Sequence, residues 1–321
     1  MSMHAAVVRS FDHPPRYETY EVPEPTGPEE SLVDVLAAGL HPRVRSGASG
    51  SHYSSSGTLP IVPGIDGVGQ LPDGQRVYFV VPDDASGSMA ERAVVDLRRV
   101  VPLPESVDAA RVAAVMNPAM SGWVALRRRV PLQPGQSVLV LGATGNAGGM
   151  AVQVAKHLGA GRVVGAGRNP ERLTELSALG ADEVVELTDD PEFTGDRLAQ
   201  AAGEADIVLD YLWGEPAALA MMALLKARAD RSRAMDWVQI GAIAGPTIAL
   251  PSVVLRSANL RIQGNGQGAV SPQAYLAELP SLIAEIGAGT FEINVRAVPL
   301  ADVEPMWSAP EVPGLRTVFI P

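Results

Sequence analysis

The N-terminal third of the chain alternates between short apolar runs and turns. Valine-rich segments such as HAAVVRS, SLVDVLAAG and QRVYFVV mix apolar and polar positions as half-buried strands do. Proline and glycine clusters such as PEPTGPEE separate these segments and mark turns. Residues 41–63 are rich in Ser and Gly and follow neither a strand nor a helix period, which predicts a long irregular loop. Together the segments indicate a β-rich unit.

The pattern changes near residue 105, where strand-length apolar runs begin to alternate with longer stretches of helical spacing. This alternation continues to about residue 265 and predicts βαβ units in a doubly wound parallel sheet. One helix carries its own boundary signals: Asn169 at the N-cap, Pro170 at the first helical position and Gly180 at the end.

These patterns predict an α/β protein in which a β-rich domain is interrupted by a complete nucleotide-binding fold. A length of 321 residues is ample for two domains. We expect residues 1–118 to form the first part of the β-rich domain and residues 119–267 to form a Rossmann domain. Residues 268–321 return to mixed patterning and are expected to complete the β-rich domain.

The composition narrows the class of protein. Lys and Arg total 25 against 36 Asp and Glu, so the chain has a net charge of −11 and no basic stripe for a nucleic-acid partner. It has no cysteine, which excludes disulfides, thiolate catalysis and zinc sites built from cysteine. No apolar run reaches the roughly 18 residues of a membrane span, and the first residues do not resemble a secretory signal. We therefore expect a soluble, cytoplasmic protein that binds neither nucleic acid nor membrane.

A glycine-rich turn joins the apolar run VLVLG to a stretch of helical spacing. Against the pattern G-x-G-x-x-G, Ala143 takes the first glycine position, and Gly145 and Gly148 take the second and third. A glycine at the second position lets the backbone approach a pyrophosphate, and one at the third lets the helix pack closely on the strand. The predicted phosphate contacts are Thr144, Gly145, Asn146, Ala147 and Gly148. The alternative is a tight turn that binds nothing.

The end of the second strand of such a fold indicates which dinucleotide is bound. An acidic residue there suits the ribose hydroxyl of NAD, whereas an arginine suits the 2′-phosphate of NADP. This sequence places Arg168 at that position, followed by Asn169, with Arg172 one helical turn further on. The two arginines, Arg168 ahead of Arg172, predict NADPH as the cofactor, and Asn169 is expected to contact it as well. A solvated surface arginine is the alternative.

Taken together, several segments resemble the medium-chain dehydrogenase/reductase superfamily, specifically its zinc-free quinone oxidoreductase branch. The resemblance runs from about residue 5 to the end and is carried by segments such as LPIVPGIDGVG, MNPAMSGWVAL, GATGNAGG, ADIVLDYLWG and WVQIGAIAG. It implies a GroES-like catalytic domain interrupted by the Rossmann domain. It also implies a homodimer, for which we expect the LRIQGNG strand to pair with its mate across a two-fold axis.

The sequence departs from the zinc-dependent members of that superfamily. Those members carry a Cys after the third strand and a Gly-His-Glu later, where this chain has Gly39-Leu40-His41 and Gly64-Ile65-Asp66. One imidazole and one carboxylate do not make the ligand set of a catalytic zinc. We therefore expect no metal. The quinone oxidoreductase branch usually has Asn where His41 stands.

The resemblance and the strand ends add further cofactor candidates. Asn117 and Ser121 match a segment that lies beside the nicotinamide in the family, although Asn117 could also cap a helix with Pro118 at its first position. Other candidates follow the fifth and sixth strands, where open α/β sheets bind ligands; they are Gly241, Ala242, Gly264 and Asn265, with Gly266 beside them. Simple turns would explain these glycines equally well.

The catalytic candidates are Tyr53 and His41. A phenol or an imidazole near the substrate could donate a proton or a hydrogen bond to a carbonyl oxygen that gains charge. Tyr53 lies in the Ser-rich loop where the family places aromatic residues, and His52 beside it is a weaker candidate. For each residue, packing without a catalytic role is the alternative.

These observations predict an NADPH-dependent reductase that transfers hydride to a quinone or an α,β-unsaturated carbonyl compound without zinc. The partner is then a small-molecule substrate. The alternative is an NADPH-binding protein with little turnover, used as a sensor or a structural component. Measured turnover separates the two hypotheses.

Overall fold

The computed structural model describes residues 1–52, 55, 57–81, 86–266 and 268–321. The chain forms two compact units. The first, called here the β-rich unit, contains Met1–Asn117, Leu279–Gly289 and Ile293–Pro321. The second, called the Rossmann unit, contains Pro118–Glu278 and Thr290–Glu292. None of the helices in the described ranges is long and apolar enough to cross a lipid bilayer.

The elements are numbered in chain order. The strands are β1 Ser2–Val7, β2 Arg16–Glu21, β3 Glu30–Gly39, β4 Asp66–Gln70, β5 Arg76–Val80, β6 Arg92–Asp96, β7 Val100–Pro102, β8 Ser137–Leu141, β9 Arg162–Gly167, β10 Glu183–Glu186, β11 Ile207–Asp210, β12 Met235–Gln239, β13 Leu260–Gly264, β14 Asn294–Pro299 and β15 Leu315–Ile320. The helices are α1 Pro42–Ala48, α2 Ala109–Val124, α3 Asn146–His157, α4 Pro170–Ala178, α5 Pro191–Ala202, α6 Gly214–Ala227, α7 Ser252–Ser257, α8 Pro272–Gly287 and α9 Val303–Ser308. A π-helical turn, Ala125–Arg129, follows α2 directly.

The Rossmann unit is built on a parallel sheet whose described strands run in the order β10-β9-β8-β11-β12-β13. This is the doubly wound order in which the chain moves outward from β8 to one edge and then returns to build the other half. Leu139 and Leu141 of β8 are fully buried, as is Trp237 of β12, because helices cover both faces. The predicted doubly wound parallel sheet is therefore confirmed.

The β-rich unit holds a mixed sheet in the order β14-β15-β3-β4-β5-β7, with β6 also pairing with β3. The C-terminal strand β15 pairs antiparallel with β3, so a strand from the end of the chain joins the sheet formed by its N-terminal part. Val33 of β3 and Val77 and Phe79 of β5 are fully buried and belong to one hydrophobic cluster. The predicted fold class, a Rossmann domain inserted in a GroES-like β-rich domain, is the observed one.

Helix α1 corrects the prediction that residues 41–63 form an irregular loop throughout. His41 is extended and Pro42 occupies the first helical position, where its missing N–H costs nothing. Val44 and Ala48 lie four residues apart and are both buried, which gives the short helix its apolar face.

Helix α2 excludes the alternative in which Asn117 caps a helix. The helix begins at Ala109, where the Asp108 carboxylate accepts a hydrogen bond of 2.6 Å from the backbone N–H of Arg111. Asn117 and Pro118 therefore lie inside the helix rather than at its start. The predicted signals of α4 are confirmed, since Asn169 Oδ1 accepts from the N–H of Arg172 at 3.0 Å and Pro170 follows it.

Candidate functional site

The predicted phosphate turn lies between β8 and α3. Gly142 follows the strand with φ of +86°, a conformation that favours glycine, and turns the chain toward the helix. Gly148 in the first turn of α3 is buried, and a Cβ there would clash with the carbonyl of Gly142 and lie 2.7 Å from its carbon. Gly148 therefore allows the helix to begin in direct contact with the turn, as the sequence pattern predicts.

Gly145, the N-cap residue of α3, is exposed. The nearest heavy atom to a Cβ built on it would be the carbonyl oxygen of Gly142 at 3.5 Å, so the glycine leaves open space above the backbone. The first N–H groups of a helix lack partners within the helix, and its dipole attracts an anion. Thr144, Gly145 and Ala147 thus surround a helix start that fits a pyrophosphate.

Two arginines lie beyond the end of β9. Arg168 is exposed and makes no hydrogen bond or ion pair with any residue that the structure describes. Arg172 is 11% exposed and pairs with Glu175, and its Nε is buried without a hydrogen-bond partner. Its Nη2 lies 3.7 Å from where a Cβ of Gly149 would be, so this guanidinium sits beside the first turn of α3. Arg168 and Arg172 could both hold a 2′-phosphate.

Ser121 and Asn265, predicted from separate segments, lie together. The Asn265 Nδ2 donates a hydrogen bond of 2.9 Å to the carbonyl oxygen of Ser121. Asn265 is 6% exposed, and its Oδ1 is buried without a partner in the described part of the chain. A buried acceptor without a donor is costly, so this oxygen fits a ligand that brings an N–H. The carboxamide of a nicotinamide ring is such a group.

The remaining strand-end candidates have different surroundings. Gly241 follows β12, and a Cβ there would lie 2.8 Å from the carbonyl oxygen of Tyr211, which explains the glycine by packing. Ala242 beside it is exposed. Gly264 ends β13 and has open space around it, and its carbonyl accepts a hydrogen bond of 2.8 Å from Arg129. Asn117 is half-buried within α2.

Tyr211 and Asp210 are two further candidates, which the sequence patterns did not indicate. The Asp210 carboxylate ends β11 and accepts hydrogen bonds from the N–H groups of Leu212 and Trp213 at 2.8 and 2.9 Å. It also accepts from Trp237 Nε1 at 2.9 Å. Burial raises the pKa of Asp210 above its ordinary value, and these three donors oppose that rise. Asp210 thus fixes the turn that carries Tyr211. A hydroxyl directly after a strand-ending Asp was the available signal.

His41 lies in the β-rich unit and is 1% exposed. Its Nε2 is 3.2 Å from Asp66 Oδ1, and Asp66 Oδ2 accepts a hydrogen bond of 2.8 Å from the Tyr78 hydroxyl. Burial lowers the pKa of His41, and Arg316 and Arg43 add to this, while Asp66 opposes it. The lowered pKa favours the neutral imidazole, in which Nε2–H donates to Asp66 Oδ1 and Nδ1 is a buried acceptor without a partner among the described residues. A catalytic role for His41 stays a prediction.

The other two catalytic candidates lie in the Ser-rich loop. Tyr53 falls outside the described residues. His52 is half-buried, and its backbone N–H donates to the carbonyl of Ser46 at 3.1 Å. Among residues 1–52, 55, 57–81, 86–266 and 268–321, no group of three or more His, Asp and Glu side chains is placed to hold a metal ion.

Comparisons with known proteins agree with this architecture. The family model described as "Zinc-binding dehydrogenase" matches residues 147–282, which belong almost entirely to the Rossmann unit. A protein of Emericella nidulans named "Probable NADPH-dependent quinone reductase" is 32% identical, and the match covers 99% of this chain and 100% of that one. The "NADPH-dependent alkenal/one oxidoreductase, chloroplastic" of Arabidopsis thaliana is 28% identical over 57% of this chain and 50% of its own length.

Among solved structures, the quinone oxidoreductase of Thermus thermophilus, which has also been solved in complex with NADPH, is similar throughout. Its TM-score is 0.79 at 27% sequence identity, with 99% of this chain and 100% of that chain covered. The similarity in sequence and fold therefore extends through both units. This chain belongs to the medium-chain dehydrogenase/reductase superfamily, in its quinone reductase-like branch.

Proposed function

We propose that the protein is an NADPH-dependent oxidoreductase that reduces quinones or α,β-unsaturated carbonyl compounds without zinc. The observation that carries the proposal is the turn from Gly142 to Gly148, which opens α3 next to the end of β9, where Arg168 stands. The names of the relatives support the same cofactor and substrate classes. Tyr53 and His41 remain catalytic candidates.

The cofactor candidates predicted from the sequence would each contact a different part of the dinucleotide. The helix start at Thr144, Gly145, Asn146, Ala147 and Gly148 would hold the pyrophosphate. Arg168, Asn169 and Arg172 would hold the adenosine end, with guanidinium groups for the 2′-phosphate. Asn117, Ser121, Gly241, Ala242, Gly264 and Asn265 would surround the nicotinamide end.

Held by these residues, NADPH would supply a hydride for an electron-poor carbon of the substrate. The work left to the protein is to hold the two reactants in line and to polarise the acceptor oxygen. Because Nε2–H donates to Asp66, the neutral His41 ring presents only Nδ1, which accepts; His41 can orient a donor group but does not itself polarise the acceptor oxygen. The proton would then come from water or from the hydroxyl of a protein side chain, for which Tyr53 is the candidate.

We also propose that the protein is a cytoplasmic homodimer. The supporting observation is β13, which pairs with β12 alone among the described strands and so leaves its other edge open. An open edge of this kind is a template for pairing with a second copy.

The direct test is a titration of the purified protein with NADPH and with NADH, followed by nicotinamide fluorescence. We expect tight binding of NADPH and much weaker binding of NADH. Arg168→Ala should weaken NADPH about ten- to a hundredfold, since a charge-assisted bond to phosphate is worth roughly 1.5–3 kcal/mol, and should leave NADH nearly unchanged. Arg231→Ala, which removes another exposed arginine of the Rossmann unit, is the matched control.

The outcomes separate the hypotheses. If the wild-type protein binds neither dinucleotide, the reductase proposal fails. If NADPH binds tightly but a panel of quinones and enones is not reduced, the result supports a sensor or structural role instead. Equal losses of NADPH and NADH in Arg168→Ala would contradict the role of this arginine in holding the 2′-phosphate.

A further inference from the structure

The turn after β11 brings a tyrosine hydroxyl to Ser121. The Tyr211 hydroxyl and Ser121 Oγ are 2.9 Å apart, and Ser121 Oγ donates to the carbonyl oxygen of Pro118 at 3.0 Å. Because a serine hydroxyl has one hydrogen and a carbonyl only accepts, the Ser121 hydrogen is committed to Pro118. Tyr211 must therefore donate its hydrogen to Ser121 Oγ. The phenol and the serine form one directed chain that ends on the backbone of α2.

The same serine holds Asn265 on its backbone side. The carbonyl oxygen of Ser121 accepts a hydrogen bond of 2.9 Å, so the Asn265 atom that faces it must be Nδ2. This contact fixes the orientation of the amide and leaves Oδ1 as the buried atom without a partner. Ser121 therefore links the Tyr211 hydroxyl to an acceptor that lacks a donor.

Tyr211 is held on several sides. A Cβ at Gly142 would lie 3.2 Å from the Tyr211 Cβ, and a Cβ at Gly241 would lie 3.3 Å from its Cα, so glycines on both flanking turns make room for it. A Cβ at Gly122 would lie 3.2 Å from Ala151, which shows how closely α2 approaches α3 beside Ser121. Trp213, held by Asp210, has φ of +52°, a conformation that is costly for a residue with a side chain.

These contacts lie where the strand order of the sheet reverses. Gly142 follows β8, and Tyr211 follows β11, its neighbour in the other half of the sheet. Open α/β sheets bind their ligands in the crevice at this switch point. The strain and the close packing around Tyr211 thus fall at the sheet edge where a ligand is held.

We propose that Tyr211 is a positioning residue for the nicotinamide end of the cofactor. It holds the Ser121 side chain on α2, and the backbone carbonyl of the same residue orients Asn265, whose Oδ1 then accepts a hydrogen bond from the carboxamide N–H of the ring. This inference rests on the proposed function, because it concerns the same bound dinucleotide. It adds a residue that does not touch the ligand but acts through one that does.

The test compares NADPH with 2′,5′-ADP, which has the same adenosine 2′-phosphate but lacks the nicotinamide half. Both NADPH and 2′,5′-ADP are titrated into wild-type protein, Tyr211→Phe and Ser121→Ala, by calorimetry. Tyr211→Phe keeps the ring and removes only the hydroxyl. We expect it to weaken NADPH about three- to tenfold, the effect of one lost neutral hydrogen bond, and to leave 2′,5′-ADP within about twofold. The double variant should lose little more NADPH affinity than either single variant, because both substitutions remove the same Tyr211–Ser121 hydrogen bond.

Several outcomes would overturn the inference. Equal weakening of NADPH and 2′,5′-ADP by Tyr211→Phe would show that Tyr211 only supports the fold, and thermal melting of the same samples would show this independently. Unchanged NADPH affinity would remove Tyr211 from the site. Arg168→Ala serves as the reference, since it should weaken both ligands. If it does so while Tyr211→Phe changes neither, only this inference fails; if the wild type binds neither ligand, the proposed function itself fails.

Discussion

At the scale of single residues, substitutions of Gly145 and Gly148 in the phosphate turn are expected to affect stability and cofactor binding to different extents. Gly148→Ala would drive a Cβ into the backbone of Gly142, and backbone cannot move aside as a flexible side chain can. Gly145→Ala would place its Cβ 3.5 Å from the nearest heavy atom, an ordinary contact, at a φ of −78° that alanine adopts readily. The methyl group at position 145 would nevertheless occupy the space that a pyrophosphate needs.

We therefore expect Gly148→Ala to lower the free energy of unfolding by about 1–3 kcal/mol, as overpacking does, and also to reduce NADPH affinity. Gly145→Ala should melt within about 1–2 °C of wild type and still lose NADPH affinity. Differential scanning calorimetry and the fluorescence titration measure the two effects. If Gly145→Ala binds NADPH as wild type does, the backbone at Gly145 does not face the cofactor.

At the scale of single residues, a role can be predicted from the sequence when it depends only on spacing within one continuous segment. Gly148 could be assigned its packing role because the strand, the turn and the helix that it joins are consecutive. Tyr211 could not be found in that way, because its partner Ser121 lies 90 residues away along the chain. The Asn265 side chain was placed at a strand end from sequence, but its bond to Ser121 needed the fold.

At the scale of helices, local signals decided some boundaries and tertiary packing decided others. Asn169 and Pro170 mark the start of α4 because nothing upstream of them continues a helix. The same two residue types at Asn117 and Pro118 lie inside α2, where the residues before them, Val112 to Met116, are buried and helical. Burial of that apolar face offsets the hydrogen bond lost at Pro118, a balance that a residue pair alone does not reveal.

Helix α8 is tied to the end of α2 by a buried carboxylate. Glu278 is 2% exposed, accepts a hydrogen bond of 3.1 Å from Trp123 Nε1, and pairs with Arg127 and Arg128 at 2.5 Å each. Burial alone would raise the pKa of Glu278, but the hydrogen bond and charges of the two arginines outweigh it and hold the pKa below its ordinary 4.5. A lowered pKa means that the carboxylate stabilises the fold above pH 4.5 and loses this effect as pH falls.

We expect Glu278→Gln to lower the free energy of unfolding at pH 7 by about 1–3 kcal/mol, below the value for a fully buried pair because both arginines are about 40% exposed. The difference from wild type should shrink as the pH falls from about 5 to 3, since protonation removes the same charge from the wild type. Urea unfolding across that pH range measures it. Glu186→Gln, which removes an exposed carboxylate, is the control. A difference that does not change with pH would mean that the charge of Glu278 contributes nothing.

At the scale of the whole molecule, alternation of strand and helix patterns was enough to predict the doubly wound sheet, because right-handed βαβ connections leave few other arrangements. The mixed patterning of residues 268–321 led us to expect that the chain returns to the β-rich unit, and in the structure that return begins at Leu279. The pairing of β15 with β3 was not, because a register between strands so far apart in sequence depends on the finished sheet.

At the scale of the whole molecule, the proposed homodimer can be tested at the open edge of β13. Ile262 on β13 is 37% exposed at the open edge, where a pairing second copy would cover it. An aspartate there would have to be buried without a partner, so Ile262→Asp should shift the protein from dimer to monomer in sedimentation or light scattering. Leu97→Asp places the same charge at a residue with 39% exposure in the β-rich unit and should leave the mass unchanged. A wild-type protein that is already monomeric, or an Ile262→Asp variant that stays dimeric, would show that β13 does not pair with a second copy.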